Sequence, residues 1–237
     1  TGAGWITPLG HDLETVWNRL VAGETAVDTI QRFDASTFPT RFASQISDYD
    51  WTDYVDDASR HGVIGKHTAF ALGAARQAWT ASGLGDSAGL DRRRVGLYLG
   101  AGEGVLNFDS YQRTSLAGWN PDTRSVEGSR WVAGAREFID GVEEAAQEPN
   151  MPVCHIAREF GLRGPAFNCL TACAASTQAI GEAWSILRRG DADVMVSGGT
   201  HTMLHVLGLT GFNRLTALST RNDDFRHASR PFSRSRD

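Results

Sequence analysis

Cys173 has the residue type and position that most favour covalent chemistry in this chain. It lies in residues 171–176 (TACAAS), after a short apolar run and before a helical pattern. At a helix start, free backbone N–H groups and the helix dipole stabilise a thiolate, and the N–H of Cys173 would face a developing oxyanion. The alternative is a small buried core residue, since free cysteines are among the most buried residue types. The local pattern leaves both interpretations open.

The other two cysteines, Cys154 and Cys169, are predicted to pack in the core. An odd number of clustered cysteines argues against a disulfide framework. Cys169 and Cys173 are spaced as C-x3-C, but no further ligand follows to complete a metal cluster.

Two further patterns carry weaker signals. His201 and His205 are four residues apart, but a zinc-protease helix requires Glu after the first His, where Thr202 stands. The favoured interpretation is a polar loop beyond a strand end, a position that can border a site in open α/β sheets. Residues 100–104 (GAGEG) have the glycine spacing of a phosphate loop, but Val105 occupies the position of the last fingerprint glycine. A tight turn that permits close backbone approach is favoured there.

These residues would be positioned by alternating strands and helices. Helices are predicted over 12–22, 66–82, 152–160 and 176–189, with Gly23, Gly83 and Gly190 as their ends. Strands are predicted over 95–100, 166–170 and 192–199. The alternation predicts an α/β fold with a mixed, mainly parallel sheet.

Residues 105–150 interrupt this alternation. They are polar and irregular, yet they contain aromatic residues, and one amphipathic helix is predicted near 132–146. Aromatic content favours a helical and loop insertion over a site rather than a linker. Both ends of the chain look cut: the turn at residues 1–4 has no strand before it, and residues 228–237 end without a helix or strand pattern.

Composition excludes several classes of protein. The chain has 237 residues and a net charge of −5, which opposes nucleic-acid recruitment by a global field. No run of 18 apolar residues predicts a membrane span, and no basic, apolar N-terminus predicts a secretory signal. We therefore expect a cytoplasmic protein with no nucleic-acid or membrane partner.

Several motifs, in order along the chain, resemble those of the β-ketoacyl-[acyl-carrier-protein] synthases, the condensing enzymes of the thiolase superfamily. TACAAS resembles their nucleophile motif. The other matching segments are 1–10, 100–104, 161–165, 179–183, 190–195, 198–200, 218–224 and 228–232. The resemblance spans nearly the whole chain and is weakest over 105–150.

The resemblance implies a thiolase-like fold, of which 1–237 would form the first half of an αβαβα layered arrangement. It implies that Cys173 is the nucleophile and a backbone oxyanion donor, and that Gly102, Glu103 and Gly104 border the acyl pocket. The expected reaction is acyl transfer to Cys173, followed by decarboxylative condensation with a malonyl thioester, with no metal and no organic cofactor. An acyl carrier protein would deliver both the acyl and the malonyl thioesters. A homodimer is expected through strand 166–170, with the insertion 105–150 near the acyl pocket and the dimer interface.

Departures from the family pattern leave alternatives. No histidine here occupies a matching catalytic motif, so the chain alone is expected to be inactive in condensation. Glu103 stands where family members often carry an apolar residue, and Ser233 replaces an aspartate. The alternatives are a non-catalytic half-subunit of a hetero-assembly and a thiolase-type acyltransferase that uses coenzyme A.

Carrier-protein docking requires a local basic patch, because both the chain and the carrier are acidic. Arg60, His61 and Lys66, at the start of the second helix, are the predicted patch. A solvated helix start is the alternative. The run Arg92–Arg94 is denser, but it directly precedes a strand and is assigned to a solubilising loop.

Overall fold

The computed structural model describes residues 1–237, which contain eight α-helices. These helices are α1 (Leu13–Val21), α2 (Lys66–Ser82), α3 (Phe108–Gly118), α4 (Gly128–Phe138), α5 (Gly141–Ala145), α6 (Met151–Phe160), α7 (Ala175–Arg189) and α8 (Val206–Arg214). Short 3₁₀ turns lie at Trp51–Tyr54, Ala58–Arg60, Leu84–Asp86, Arg92–Arg94, Ala172–Ala174 and Phe225–His227. No helix is long and apolar enough to cross a membrane.

Seven strands form one three-stranded sheet and two small hairpin-like pairs. The strands are β1 (Val27–Thr29), β2 (Phe42–Ser44), β3 (Val95–Ala101), β4 (Trp119–Asn120), β5 (Ser125–Val126), β6 (Ala166–Cys169) and β7 (Val194–Thr200). The main sheet has the order β6-β3-β7, and both pairings are parallel. β1 pairs with β2 and β4 with β5, both antiparallel. The predicted parallel α/β arrangement is confirmed.

Alternation along β3 assigns its two faces to different helices. Val95, Leu97 and Leu99 are buried in the main core against α2 and α6. Tyr98 lies on the opposite face, where it packs against Ala179 of α7 in a second cluster. The result is three layers: α2 with α6, then the sheet, then α7.

The main core is formed by apolar side chains of α2, β3 and α6. Its buried members are Ala71, Leu72, Ala75, Trp79, Val95, Leu97, Leu99, Val153, Ile156 and Phe160. Trp79 and Phe160 stack at a centroid distance of 4.9 Å, which joins the ends of the two helices. Truncating a fully buried member such as Leu97 to Ala would cost about 2–5 kcal/mol.

Helix ends follow the predicted capping signals. Asp12 caps α1 by accepting a hydrogen bond from the backbone N–H of Thr15 at 2.8 Å. Gly83 and Gly190 end α2 and α7 with φ of 68° and 76°, a conformation that glycine adopts without strain. The predicted bounds 66–82 for α2 are confirmed.

Residues 105–150, the predicted insertion, contain more helix than predicted. In place of one helix near 132–146, the structure has α4 and α5, and α3 precedes them. Ile139 is extended, and Asp140 caps a new helix by accepting from the N–H groups of Val142 and Glu143. This cap separates α4 from α5. Helices α3 and α4 form a hairpin that packs chiefly on itself, with Gly134 against Ala117.

Candidate active site

The candidate active site lies where the three parallel strands of the main sheet end. Residues 102–104 follow β3, the turn that carries Cys173 follows β6, and His201 follows β7. Because the carboxyl ends of parallel strands meet at the same edge of a sheet, these three loops converge. His201 lies beyond the end of β7, as the sequence predicted, and it lines a cavity with the other two loops.

The turn before α7 holds Cys173 at the surface. Ala172 has a φ of 50°, a left-handed conformation that costs a non-glycine residue roughly 1–2 kcal/mol. The N–H of Ala174 closes the turn on the carbonyl of Thr171 at 3.2 Å, and the N–H of Cys173 makes no hydrogen bond within the chain. The Cys173 side chain is exposed. An exposed thiol and a free backbone amide are therefore available together at the start of the helix.

Two glycines of the sheet, which have no side chain, allow the first turn of α7 to pack closely against it. A Cβ at Gly100 of β3 would collide with the backbone of Ala175 and Ser176. A Cβ at Gly199 of β7 would collide with the Ser176 hydroxyl. The first turn of α7 thus packs directly against the backbones of β3 and β7, and this packing fixes the position of Cys173 relative to the sheet.

The glycine turn after β3 packs against two histidines. A Cβ at Gly102 would lie 2.7 Å from Nε2 of His201, and one at Gly104 would lie 2.8 Å from Cε1 of His67. The N–H of Gly104 donates to the carbonyl of Gln147 at 2.7 Å, which anchors the turn to the end of the insertion. Close backbone approach is therefore the reason for both glycines, in agreement with the sequence interpretation.

The three loops enclose a cavity of about 440 Å³. Ala172, Ala175 and Ser176 line it on both sides of Cys173 in the chain. Glu103, which is exposed, and His201 line the opposite loops. The cavity therefore adjoins the turn that carries Cys173, with small side chains on that side and Glu103 on the facing loop.

Burial disfavours the charged forms of His67 and His205, two histidines on which the charge of His201 also acts. Burial lowers the pKa of His67 from its ordinary value, the hydrogen bond with the Glu148 carbonyl opposes it, and nearby His201 lowers it further. Burial likewise lowers the pKa of His205, with a further lowering from His201. The charge of Glu103 acts in the opposite direction on both. His67 Nδ1 is buried without a hydrogen-bond partner, so a neutral ring is favoured.

A larger cavity of about 770 Å³ adjoins the first and is lined mostly by apolar residues. The two cavities share Gly199 and Thr200 at the end of β7, and His201 and Met203 in the loop that follows. Its other walls come from residues 4–8, the β1–β2 region, α2 and α8. The loop that carries His201 therefore separates the smaller cavity from the larger one.

The predicted docking patch of Arg60, His61 and Lys66 is not a single surface. Including His61 is wrong: its side chain is fully buried, and its Nε2 lies 3.0 Å from the Glu159 carboxylate. Arg60 is exposed and donates to the carbonyl of Arg158 at the end of α6. Lys66 is exposed at the start of α2, beside His67 and the glycine turn. Only Lys66 shares the sheet end of Cys173.

The two predictions for the other cysteines have different outcomes. Cys169 is buried, as predicted, and its thiol donates to the carbonyl of Ala175 at 3.2 Å. The predicted core position of Cys154 is wrong: this residue is exposed, because its position on α6 lies on the face turned away from β3.

His67 is the site residue that the sequence did not reveal. It is the second residue of α2, and nothing in its local pattern separates it from an ordinary helix position. Its place follows from two distant contacts: Thr200 Oγ1 donates to its carbonyl at 2.7 Å, and its ring meets the turn at Gly104. No group of three or more His, Cys, Asp or Glu side chains is arranged to hold a metal ion.

The architecture matches that of solved ketosynthases. A β-ketoacyl synthase from Burkholderia phymatum superposes with a TM-score of 0.80 at 24% identity, over all of this chain and 54% of that one. A type II polyketide ketosynthase solved with its acyl-carrier protein gives 0.67 at 21% identity, over 92% of this chain and 54% of that one. At these identities the likeness establishes the fold, which is thiolase-like and of the ketosynthase class.

Sequence comparison identifies the family. The model for the β-ketoacyl synthase N-terminal domain matches residues 1–236, and the chain therefore belongs to that family. It is 35% identical over 237 residues to 3-oxoacyl-[acyl-carrier-protein] synthase 2 of Coxiella burnetii. The match covers all of this chain and 53% of that relative, so the chain spans about half the length of the curated relatives it matches.

Proposed function

We propose that this chain carries the acyl-accepting centre of a β-ketoacyl-[acyl-carrier-protein] synthase of fatty acid or polyketide biosynthesis. The single observation that supports this most is the exposed Cys173 on a strained turn, with a free backbone amide, beside a cavity at the carboxyl ends of the sheet. Family membership of residues 1–236 supports the same reaction class.

In the first half-reaction, the Cys173 thiolate attacks the carbonyl carbon of an acyl thioester. A tetrahedral oxyanion forms, which the Cys173 N–H stabilises, and it collapses as the carrier thiol leaves. The acyl group is then a thioester of Cys173. In the second half-reaction, a malonyl thioester loses CO₂, and the electron pair of the broken C–C bond forms a new C–C bond to the acyl carbonyl carbon. The Cys173 thiolate leaves, and the product is a β-ketoacyl thioester.

The decarboxylation requires stabilisation of charge on the malonyl thioester. The histidines that the family resemblance assigns to this role have no counterpart among residues 1–237. We therefore propose that these residues alone accept an acyl group but do not condense it. Losing groups that act together in catalysis removes several orders of magnitude in rate.

An acyl carrier protein is the proposed source of both thioesters. The type II polyketide ketosynthase with the same fold was solved in complex with its acyl-carrier protein. In this chain, Lys66 supports such docking because it is exposed at the same sheet end as Cys173. Burial lowers the pKa of Lys66, and the charge of Arg32 lowers it further, so two cations lie near each other there. An acidic carrier would relieve their repulsion.

The nucleophile assignment is tested by acylation mapping in the complete protein. After incubation with a radiolabelled acyl carrier protein, digestion and mass spectrometry should find the acyl group on Cys173. The variant Cys173→Ser should lose thioester-linked label, whereas Cys154→Ser, which removes the other exposed thiol, should retain it. Label on Cys154 with Cys173 unmodified would refute the assignment.

Carrier docking has its own matched pair of variants. Lys66→Glu should raise the KM for the carrier-bound substrate and leave acylation by a small non-carrier thioester unchanged. Arg188→Glu makes the same charge change near the end of α7, away from Cys173, and should leave that KM unchanged. An equal or larger effect from Arg188→Glu would contradict the assignment of Lys66.

A further inference from the structure

A concave surface rich in arginine lies at the end of the sheet opposite Cys173. It encloses about 740 Å³ and gathers side chains from the turn before α2, the turn before β3, the end of α6 and the loop before β6. Its arginines are Arg60, Arg92, Arg93, Arg158 and Arg163. We call it the arginine surface.

Main-chain carbonyls hold three of these guanidinium groups in place. Arg60 donates to the carbonyl of Arg158 at 2.9 Å, and Arg158 donates to the carbonyl of Arg60 at 2.7 Å. Arg92 donates to the carbonyl of Phe160 at 2.8 Å and stacks on the ring of Trp79 at 4.8 Å. Each guanidinium group uses one N–H in its hydrogen bond to a main-chain carbonyl, so its charge and its other N–H groups remain available to bind a partner.

Only one of the five arginines, Arg93, has an acidic partner on this surface. Asp91 pairs with Arg93 at 3.0 Å, and Glu159 faces inward, where it is fully buried against His61 and Arg76. The remaining arginines, Arg60, Arg92, Arg158 and Arg163, have no carboxylate oxygen within 4.0 Å. Like charges held together without a counter-ion raise the free energy of the surface, and an anionic partner would lower it.

The location separates this surface from the condensing centre. Arg92 and Arg93 directly precede β3 and Arg163 precedes β6, whereas Cys173 follows β6. The strands are parallel, and the seven residues of β3 span about 23 Å at 3.3 Å each. A partner bound at the arginine surface would therefore sit at the far end of the domain from the thiol.

We propose that the arginine surface docks a carboxylate-rich face of a partner protein. Guanidinium groups bind carboxylates through paired, parallel hydrogen bonds, which favours Arg over Lys at such a contact. The surface is open, with the Arg93 side chain 78% exposed, and is mostly polar, unlike the enclosed apolar clefts that hold small ligands. The net charge of −5 on the whole chain opposes a long polyanion such as nucleic acid and leaves a compact acidic face as the better match. This inference does not rest on the proposed condensing activity.

The test uses the complete protein and a fluorescein-labelled octaglutamate peptide as the probe, with binding followed by fluorescence anisotropy. The double variant Arg60→Gln/Arg163→Gln should weaken binding at least tenfold and flatten its dependence on salt. The control Arg130→Gln/Arg136→Gln removes the same charge from exposed positions of α4 and should change binding less than twofold. Thermal melting checks that both double variants are folded.

Each outcome decides the proposal. Peptide binding that the first double variant weakens and the control does not would support it. Equal effects of the two double variants would show a response to net charge only and would overturn it, as would absence of peptide binding. Tighter binding of a single-stranded oligonucleotide, lost in the first double variant, would identify a nucleic-acid surface and overturn the choice of partner.

Discussion

His61 Nδ1 lies 2.9 Å from His155 Nδ1 in the buried space between the turn at Ala58–Arg60 and α6. His61 Nε2 lies 3.0 Å from the Glu159 carboxylate, which also pairs with Arg76. Two protonated rings would each direct a Nδ1–H at the other, so only one can carry a charge. Burial lowers the pKa of His155 to about 4, and the charges of His61, Arg158 and His67 add to the lowering.

This pair predicts loss of stability in mild acid. Between pH 6.5 and about 4, the unfolded chain binds a proton at His155 that the folded chain does not, so the free energy of unfolding falls as pH falls. Burial raises the pKa of Glu159, but hydrogen bonds from the Asp56 N–H and His61 outweigh the effect of burial, so the net pKa is lowered. Because the unfolded chain then binds a proton at Glu159 more readily than the folded chain, the free energy of unfolding falls further below pH 4.5. Urea unfolding from pH 7.5 to 5 measures the slope.

His155→Gln should flatten that slope, whatever its effect on stability at pH 7.5. The matched control is His227→Gln, because the His227 side chain is 80% exposed. An unchanged slope in His155→Gln would show that other groups cause the acid sensitivity.

Gly100→Ala should destabilise the domain by about 1–3 kcal/mol or more, because its Cβ would meet the backbone of α7, which cannot move aside alone. It should also slow alkylation of Cys173 by shifting the turn that carries it. Gly181→Ala on the same helix is the control: its Cβ meets nothing within 4 Å, so the variant should be more stable by roughly 1 kcal/mol. Thermal melting and thiol-labelling rates measure both effects, and equal stability of the two variants would contradict the close packing.

Under the proposed function, Glu103 should restrict the acyl groups that the complete protein accepts. A carboxylate on the cavity wall disfavours a plain alkyl chain, which would strip water from the charge. Glu103→Leu should therefore raise kcat/KM for a decanoyl substrate relative to acetyl by about tenfold, an increment of 1.4 kcal/mol. Glu103→Gln keeps the shape and polarity and should give an intermediate ratio. The same ratio in all three proteins would remove Glu103 from chain selection.

Strand β6 should pair with a second copy of the chain. It lies at the edge of the main sheet. Phe167, within the strand, is 48% exposed, and Leu170, directly after it, is 56% exposed. An unpaired strand edge with apolar side chains suits a two-fold interface. Light scattering of the complete protein should find a dimer that Phe167→Glu dissociates. Phe232→Glu, at a fully exposed position outside the sheet, should leave it intact; a monomeric parent protein at micromolar concentration would refute the pairing.

Local signals explain which features could be predicted from sequence. The bounds of α2 and the end of α7 depend on glycines next to them, and the turn at Cys173 depends on adjacent small residues. The burial of His61 depends on Glu159, 98 residues away, and no local pattern carries that information. His67 is likewise a site residue only because β7 and the glycine turn meet it in three dimensions.

The self-contained packing of α3 and α4 makes this hairpin a separate unit of local unfolding. Thr114 and Gly134 lie between the two helices, whereas Leu116 and Val132 face solvent. Amide hydrogens of residues 108–138 should therefore exchange with solvent through opening of the hairpin alone, faster than those of β3, which require disruption of the main core. Such a unit can lengthen or shorten during evolution with little effect on the sheet that holds Cys173.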